Sequence, residues 1–135
     1  MQEDKPYVLG GQDPKVGFDC SGLVVWAYGK VISNILFLRE GRIVSDVEVE
    51  YLYSENTTPL KLGDIVPGDI VFIANKNGIV NHCGLIVSTD SDSIKIIHAS
   101  GGLGKVTIED WKIGEEIRGG HIHSFGRLKI MKTVR

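Results

Sequence analysis

From residue 64 onward the chain breaks into short β-rich runs, "DIVFIA", "HCGLIVS", "SIKIIHA" and "FGRLKIMK", separated by Asn, Asp, Ser and Gly. The turn "GDIVPGD", with Pro67 and Gly68 at its centre, opens this half. Runs of this length and composition, bounded by turn residues, read as strands of an antiparallel sheet. The first half reads differently. After the turn-like "GGQDPKVG", the segment from Asp19 to about Tyr28 has Leu23, Trp26 and Ala27 at helical spacing, with Gly29 as its expected stop. Helix grouped before strands, rather than alternating with them, predicts an α+β fold and argues against a doubly wound parallel sheet.

Between the halves lies "VISNILFLREGRIVSDVEVEYLYSEN". Val47, Val49, Tyr51 and Tyr53 alternate as a strand would, while Ser45 and Glu48 have the spacing of a capping box. We read a short helix there. At 135 residues, with 42% of them hydrophobic, the chain has the size of one globular domain that needs no disulfide or metal to build a core, so residues 1–135 are expected to form a single domain.

Charge and hydropathy narrow the function. A net charge of −2, with Lys and Arg scattered, supplies no basic field for nucleic acid or anionic lipid. No apolar segment approaches the length of a membrane span, and "MQEDKP" lacks both the cationic and the apolar region of a signal peptide. Either the protein is cytoplasmic or an export signal lies outside this chain. Two cysteines, Cys20 and Cys83, are too few for a disulfide framework.

The stretch "GFDCSGLVVWAY" therefore raises the question of why Cys20 stands between Asp19 and Ser21. A cysteine nucleophile acts as thiolate, and its pKa falls at a helix N-terminus or beside an imidazolium. Cys20 has the helix start. The base must come from His82, His98, His121 or His123. His82 opens one strand and His98 ends the next. If those strands pair through "TDSDS", the two histidines stack at one end of a hairpin, one as base and one orienting it. Because successive strand residues point to opposite faces, Cys83 is expected to face away from Cys20 when His82 faces it, keeping both thiols free.

Other candidates are weaker. His121 and His123 in "GGHIHSF" alternate as one strand face, but no Cys, Asp or Glu joins them at metal-ligand spacing. Asp90 and Asp92 resemble the start of a calcium loop without its continuation and read as a hairpin turn. "GGLG" at 101 to 104 reads as a loop near His98, since no helix start follows to make it a phosphate cradle.

"PYVLGG", "GFDCSGLV", "PGDIVFI", "NHCGLIV" and "IIHAS", in this order, resemble the NlpC family of papain-like cysteine peptidases that cleave peptides of the bacterial cell wall. The resemblance runs from about Pro6 to about Met131. It implies a papain-like fold, with an N-terminal catalytic helix packed on a small antiparallel sheet. Cys20 would be the nucleophile, His82 the general base and His98 the polar residue orienting it. Tyr7 would line the site, and Asp19 and Ser21 would serve the helix cap and the substrate or oxyanion region. The implied reaction is acyl transfer to water through a thioester, without metal or organic cofactor. Its implied substrate is the amide between D-glutamate and a diamino acid in the peptidoglycan stem peptide, and the implied location is extracytoplasmic or wall-associated.

Two features depart from the family pattern. Neither Arg39 nor Arg42 in "FLREGRIVSDVEVEYLY" aligns with the Arg and Ser or Thr that usually line the groove, and Cys83 stands where an aliphatic residue usually follows the base. An amidase or acyltransferase of the same architecture on another substrate, or a catalytically silent wall-binding domain, are the alternative readings.

Overall fold

The first helix begins where a carboxylate can cap it. Asp19 has extended backbone, and its Oδ1 accepts the Gly22 N–H at 2.6 Å while its carbonyl takes the Leu23 N–H at 3.1 Å. These bonds satisfy N–H groups that a helix start leaves open. In the computed structural model, which describes residues 6, 12–13, 17–32, 35–100, 104–129 and 131–132, helix α1 then runs over Cys20–Val31. It passes through the expected stop at Gly29. That glycine does not adopt the left-handed conformation of a C-cap, and a helical glycine costs only about 1 kcal/mol relative to alanine.

The remaining elements are strands β1 (Gln12–Asp13), β2 (Gly17–Phe18), β3 (Ile35–Arg39) and β4 (Arg42–Val44), helix α2 (Val49–Glu55), and strands β5 (Thr57–Leu60), β6 (Ile70–Asn75), β7 (Val80–Thr89), β8 (Ser93–Ser100), β9 (Lys105–Lys112), β10 (Gly120–Leu128) and β11 (Met131–Lys132). The fold is α+β. Six strands form one sheet in the order β5-β10-β6-β7-β8-β9, and every pairing in it is antiparallel. A short helix does form within the ambiguous segment, but it starts at Val49 after Glu48, without a side-chain cap, so Ser45 and Glu48 do not act as a capping box. Upstream of it, β3 and β4 form a hairpin that the sequence reading did not anticipate. Its two-residue turn, Glu40 (φ 53°) and Gly41 (φ 78°), offers its N–H groups to the Glu55 carboxylate at 2.8 and 3.1 Å.

The continuous apolar run of β6 has a structural reason. Ile70 and Phe72 pack with Val24, Val25, Leu52 and Cys83, whereas Val71 and Ile73 pack on the opposite face with Ile86, Ile94, Ile96 and Trp111. Both faces are covered, so alternation vanishes from the sequence. Leu23 of α1 is buried with Ile97 of β8 and Ala99, and the half-buried Trp26 joins them. A fully buried side chain of this size contributes about 1.5–3 kcal/mol relative to an exposed one.

The "PGD" turn links these layers. Gly68 takes φ 94° behind Pro67, and the Asp69 N–H closes the turn on the Val66 carbonyl at 3.1 Å. The buried Asp69 carboxylate accepts the Val66 N–H at 2.9 Å and a two-pronged ion pair from Arg127 of β10, at 3.0 and 2.9 Å. Gly68 and Asp69 exchange backbone bonds with Ile86 of β7, and the Tyr28 hydroxyl of α1 donates to the Gly68 carbonyl. One turn thus joins α1, β7 and β10 through named bonds.

Gly84 of β7 is held to its identity by the neighbouring strand. A Cβ built there would lie 2.9 Å from both the His98 Cβ and the Ile97 carbonyl oxygen. Backbone cannot yield as a flexible side chain does. The Gly84→Ala protein should therefore lose about 1–3 kcal/mol of stability in urea unfolding, and an unchanged midpoint would show that this contact does not matter.

Candidate active site

Cys20 occupies the first turn of α1, buried to 8% exposure in the same cluster as Cys83, and Cys83 and His82 both act on its thiol electrostatically. Both cysteines are free. The expectation that Cys83 faces away is overturned: Cys83 is buried in the same cluster as Cys20 and meets its sulfur. Alternation along β7 does hold, with Cys83 on the α1 face and His82 on the face of Ile73. What it could not reveal is that the start of α1 brings Cys20 within reach of both. The pairing steps from Ile73 opposite His82 to Ala74 opposite Val80, so Asn81 is an extra residue and its bulge immediately precedes the histidine. Bulges of this kind re-aim adjacent side chains.

His98 is almost wholly buried, at 1% exposure. Its Nδ1 lies 2.7 Å from His82 Nε2, with the two rings edge to face at 5.0 Å. Pairing of Leu85 with Ile97 brings His98 beside Gly84, where the missing side chain gives the ring room. On its far side, His98 Nε2 meets Glu109 Oε1 at 2.6 Å. Glu109, on β9, receives both terminal nitrogens of Arg118, one at 3.1 Å to Oε2, and Trp111 stands edge-on to His98 at 6.0 Å. An open cleft of about 340 Å³ borders His82 and His98 and is lined further by Asn81, Trp111, Ile117 and Arg118.

The electrostatics differ sharply between the two thiols. The Cys20 thiol is held well below the ordinary range, first by its hydrogen bond with Cys83 and then by the hydrogen bond and positive charge of His82, against burial and Asp19. Cys83 is pushed up, by the same bond and by complete burial. The proton of the pair therefore stays on Cys83. Burial and the charge of His82 lower His98 to about 4, although Glu109 opposes them. Burial would raise Glu109, but hydrogen bonds from Arg118 and His98 outweigh it and hold the carboxyl at about 2.

Of the residues singled out from sequence, Cys20, His82 and His98 come together. Asp19 and Ser21 share the helix cap, with the Ser21 hydroxyl 3.4 Å from Asp19 Oδ1. Tyr7 and residues 101–103 lie outside the described residues. His121 and His123 do not share one strand face as expected, because the register of β10 shifts at His123, which instead bonds Ser124 Oγ at 2.8 Å and packs against Tyr53. Among the described residues no three His, Cys, Asp or Glu side chains are grouped as metal ligands. Asp90 sits in the β7–β8 turn, its N–H bonded to the Ser93 carbonyl. Glu109, Trp111 and Arg118 were missed. The signal available was the alternation in "KVTIEDWK", which turns Val106 toward α1 and carries Glu109 and Trp111 to the His98 side.

The chain is 33% identical over 88 residues to the murein DD-endopeptidase MepH of Escherichia coli, covering 64% of this chain and 30% of that protein. It is 35% identical over 82 residues to the gamma-DL-glutamyl hydrolase of Bacillus subtilis, covering 59% of this chain and 17% of that one. It thus matches less than a third of the length of these relatives. Two solved structures share the fold. One is a lipoprotein-like NLP/P60 protein of Staphylococcus aureus, with TM-score 0.64 and 24% identity over 94% of this chain and 37% of that one. The other is the peptidoglycan hydrolase RipB of Mycobacterium tuberculosis, with TM-score 0.58 and 23% identity over 95% and 60%. The NlpC/P60 family model matches residues 4–116, most of the chain and all of the Cys20, His82, His98 and Glu109 line, and on that match the chain belongs to the NlpC/P60 family.

Proposed function

We propose that this chain is a cysteine endopeptidase of peptidoglycan, a single domain over residues 1–135 in which α1 packs on the sheet in the papain-like manner. One observation carries the reading: a thiol held below its ordinary range at a capped helix start touches an imidazole that a second buried imidazole grips at 2.7 Å. That is the nucleophile, base and orienter arrangement of covalent acyl transfer. The names of its relatives, a murein endopeptidase and a gamma-DL-glutamyl hydrolase, support a wall-peptide amide as substrate and an extracytoplasmic place of action. Among the described residues no helix is long and apolar enough to cross a membrane.

In this reading the Cys20 thiolate attacks the amide carbonyl between D-glutamate and a diamino acid. The C–N bond breaks as His82 gives its proton to the leaving amine, and water then attacks the thioester with His82 as base. Gly22 and Leu23 already give their N–H groups to Asp19, so we assign the oxyanion to the Cys20 N–H at the start of α1. Asp19 and Ser21 support that geometry through the cap.

Digestion of purified sacculi with mass analysis of the fragments tests the reaction. Stem peptides newly ended in D-glutamate and a free diamino acid amine are the expected products. Intact sacculi that nevertheless bind the protein would indicate a silent binding domain, and turnover confined to other amides would indicate the sister amidase reading. Cys20→Ala should lower turnover by roughly 10⁴-fold or more with an unchanged fold, and a variant as active as the parent would end the assignment.

The histidines should separate by role. His82→Ala removes the group that moves protons and should cost kcat roughly 10³-fold. His98→Gln keeps a polar partner and should cost less. Full activity of His82→Ala would exclude it from the reaction.

Thiol chemistry supplies an independent check. Iodoacetamide labelling with peptide mapping should modify Cys20 at pH values well below the ~8.5 of a free cysteine and spare Cys83 until unfolding. Removing the donor in Cys83→Val should move the Cys20 labelling curve to higher pH, while Cys83→Ser should move it less. Labelling of Cys20 only above the ordinary range in the parent protein would contradict the thiolate.

A further inference from the structure

Glu109 lies outside every part of the reaction just described, yet its carboxylate bonds the far nitrogen of the residue that grips the base. We propose that Glu109 is a positioning residue that fixes the tautomers of both histidines, leaving Nδ1 of His82 as the nitrogen that takes the Cys20 proton. This inference rests on the cysteine peptidase reading and adds to it the origin of the base's protonation state.

A neutral imidazole carries one N–H and one lone pair, and an ionised carboxylate can only accept. Glu109 is ionised because Arg118 and His98 hold its carboxyl at about 2 against the effect of burial. Burial keeps His98 neutral, holding it at about 4 although Glu109 opposes the effect. The 2.6 Å contact therefore requires the hydrogen on His98 Nε2. Its Nδ1 is then bare and can only accept, so the 2.7 Å contact requires a hydrogen on His82 Nε2. With that nitrogen committed, the one left to meet the Cys20 thiol is Nδ1. When the S–H bond breaks and the Nδ1–H bond forms, the new positive charge on His82 faces a relay whose every donor points toward the carboxylate. Reversing either tautomer would close Nδ1 of the neutral base to the thiol.

The chain delivers the partner of Glu109 with some backbone strain. Arg118 is one of two described non-glycine residues at positive φ, at 48°, in a two-residue turn closed by paired bonds between Ile117 and Gly120 at 2.7 and 2.9 Å. A branched or long side chain in the left-handed region is uncommon and points to a conformation that its surroundings enforce. Here the turn carries the guanidinium to both carboxylate oxygens. The indole N–H of Trp111, 3.5 Å from Oε1, adds a third donor. A carboxylate serving only to anchor β9 would not need to meet the imidazole at all.

The test pairs ring tautomers with kinetics. Long-range ¹H–¹⁵N spectra of the Cys20→Ala protein, in which no thiolate perturbs His82, should show both His82 and His98 as Nε2–H tautomers at neutral pH. Glu109→Gln in that background, whose amide can turn its NH₂ to His98, should give signals of the opposite tautomer. In the protein with Cys20 intact, Glu109→Gln should lower kcat roughly 10- to 100-fold with little change in KM, the usual scale for losing a partner that orients a functional imidazole. Glu109→Asp should recover part of it. An Nδ1–H tautomer at His98 in the presence of Glu109, or unchanged tautomers and kcat in Glu109→Gln, would overturn the proposal. If Glu109→Gln fails to fold, the spectrum of the Cys20→Ala protein decides alone. Because that spectrum needs no substrate, failure of the peptidase reading, seen as an active Cys20→Ala protein, stays separate from failure of this one.

Discussion

The antiparallel pairing of β7, β8 and β9 is the constraint on which the rest of the site depends. Side chains of adjacent strands in register stand about 5 Å apart, which is the spacing at which two imidazoles and a carboxylate can form consecutive hydrogen bonds. Leu85 pairs with Ile97 and His98 with Thr107, so His82, His98 and Glu109 come to one face without any loop having to carry them. Gly84 then supplies the space that a second side chain in that row would have filled. A polar line of this kind inside a sheet is tolerable only when each member is satisfied, and Arg118 completes it at the outer end.

The helix must then present its first turn to that line and hold it there. Asp19 organises the start of α1, and the Tyr28 hydroxyl bonds the "PGD" turn near the other end. Asp69 bonds that turn in its own place and, through Arg127, to β10. The helix is therefore attached by polar bonds at both ends, with Leu23, Val24 and Val25 buried between them. Two-ended attachment converts a flexible thiol into a placed one.

Burial and placement act in opposite directions on the two cysteines. Each is apolar in its surroundings, and burial alone would keep both protonated. Cys20 escapes because it also meets an imidazole at a helix start, where partial positive charge favours an anion. Cys83 has Cys20 as its hydrogen-bond partner, and that contact and complete burial both favour its remaining a donor. Cys83 thus stands in the aliphatic position of the family pattern and adds a hydrogen bond that an aliphatic residue would lack.

Much of this was legible in the residues themselves. The α+β order, four of the six strands of the main sheet, the start of α1 and the pairing of His82 with His98 followed from periodicity, capping and turn chemistry, because those signals are local, whereas the joining of Cys20 with the two histidines was implied by the family resemblance. The hairpin of β3 and β4 and the edge strand β9 did not, since their exposed faces carry Arg, Glu and Asp that read as loop. Other features were decided only by tertiary structure: the meeting of Cys83 with Cys20, the shift of register at His123, and the line from His98 through Glu109 to Arg118. Each depends on which strands become neighbours and where a bulge falls. No local pattern encodes that choice, because strand order is set by burying both faces of β6 at once, a property of the whole core rather than of any segment of it.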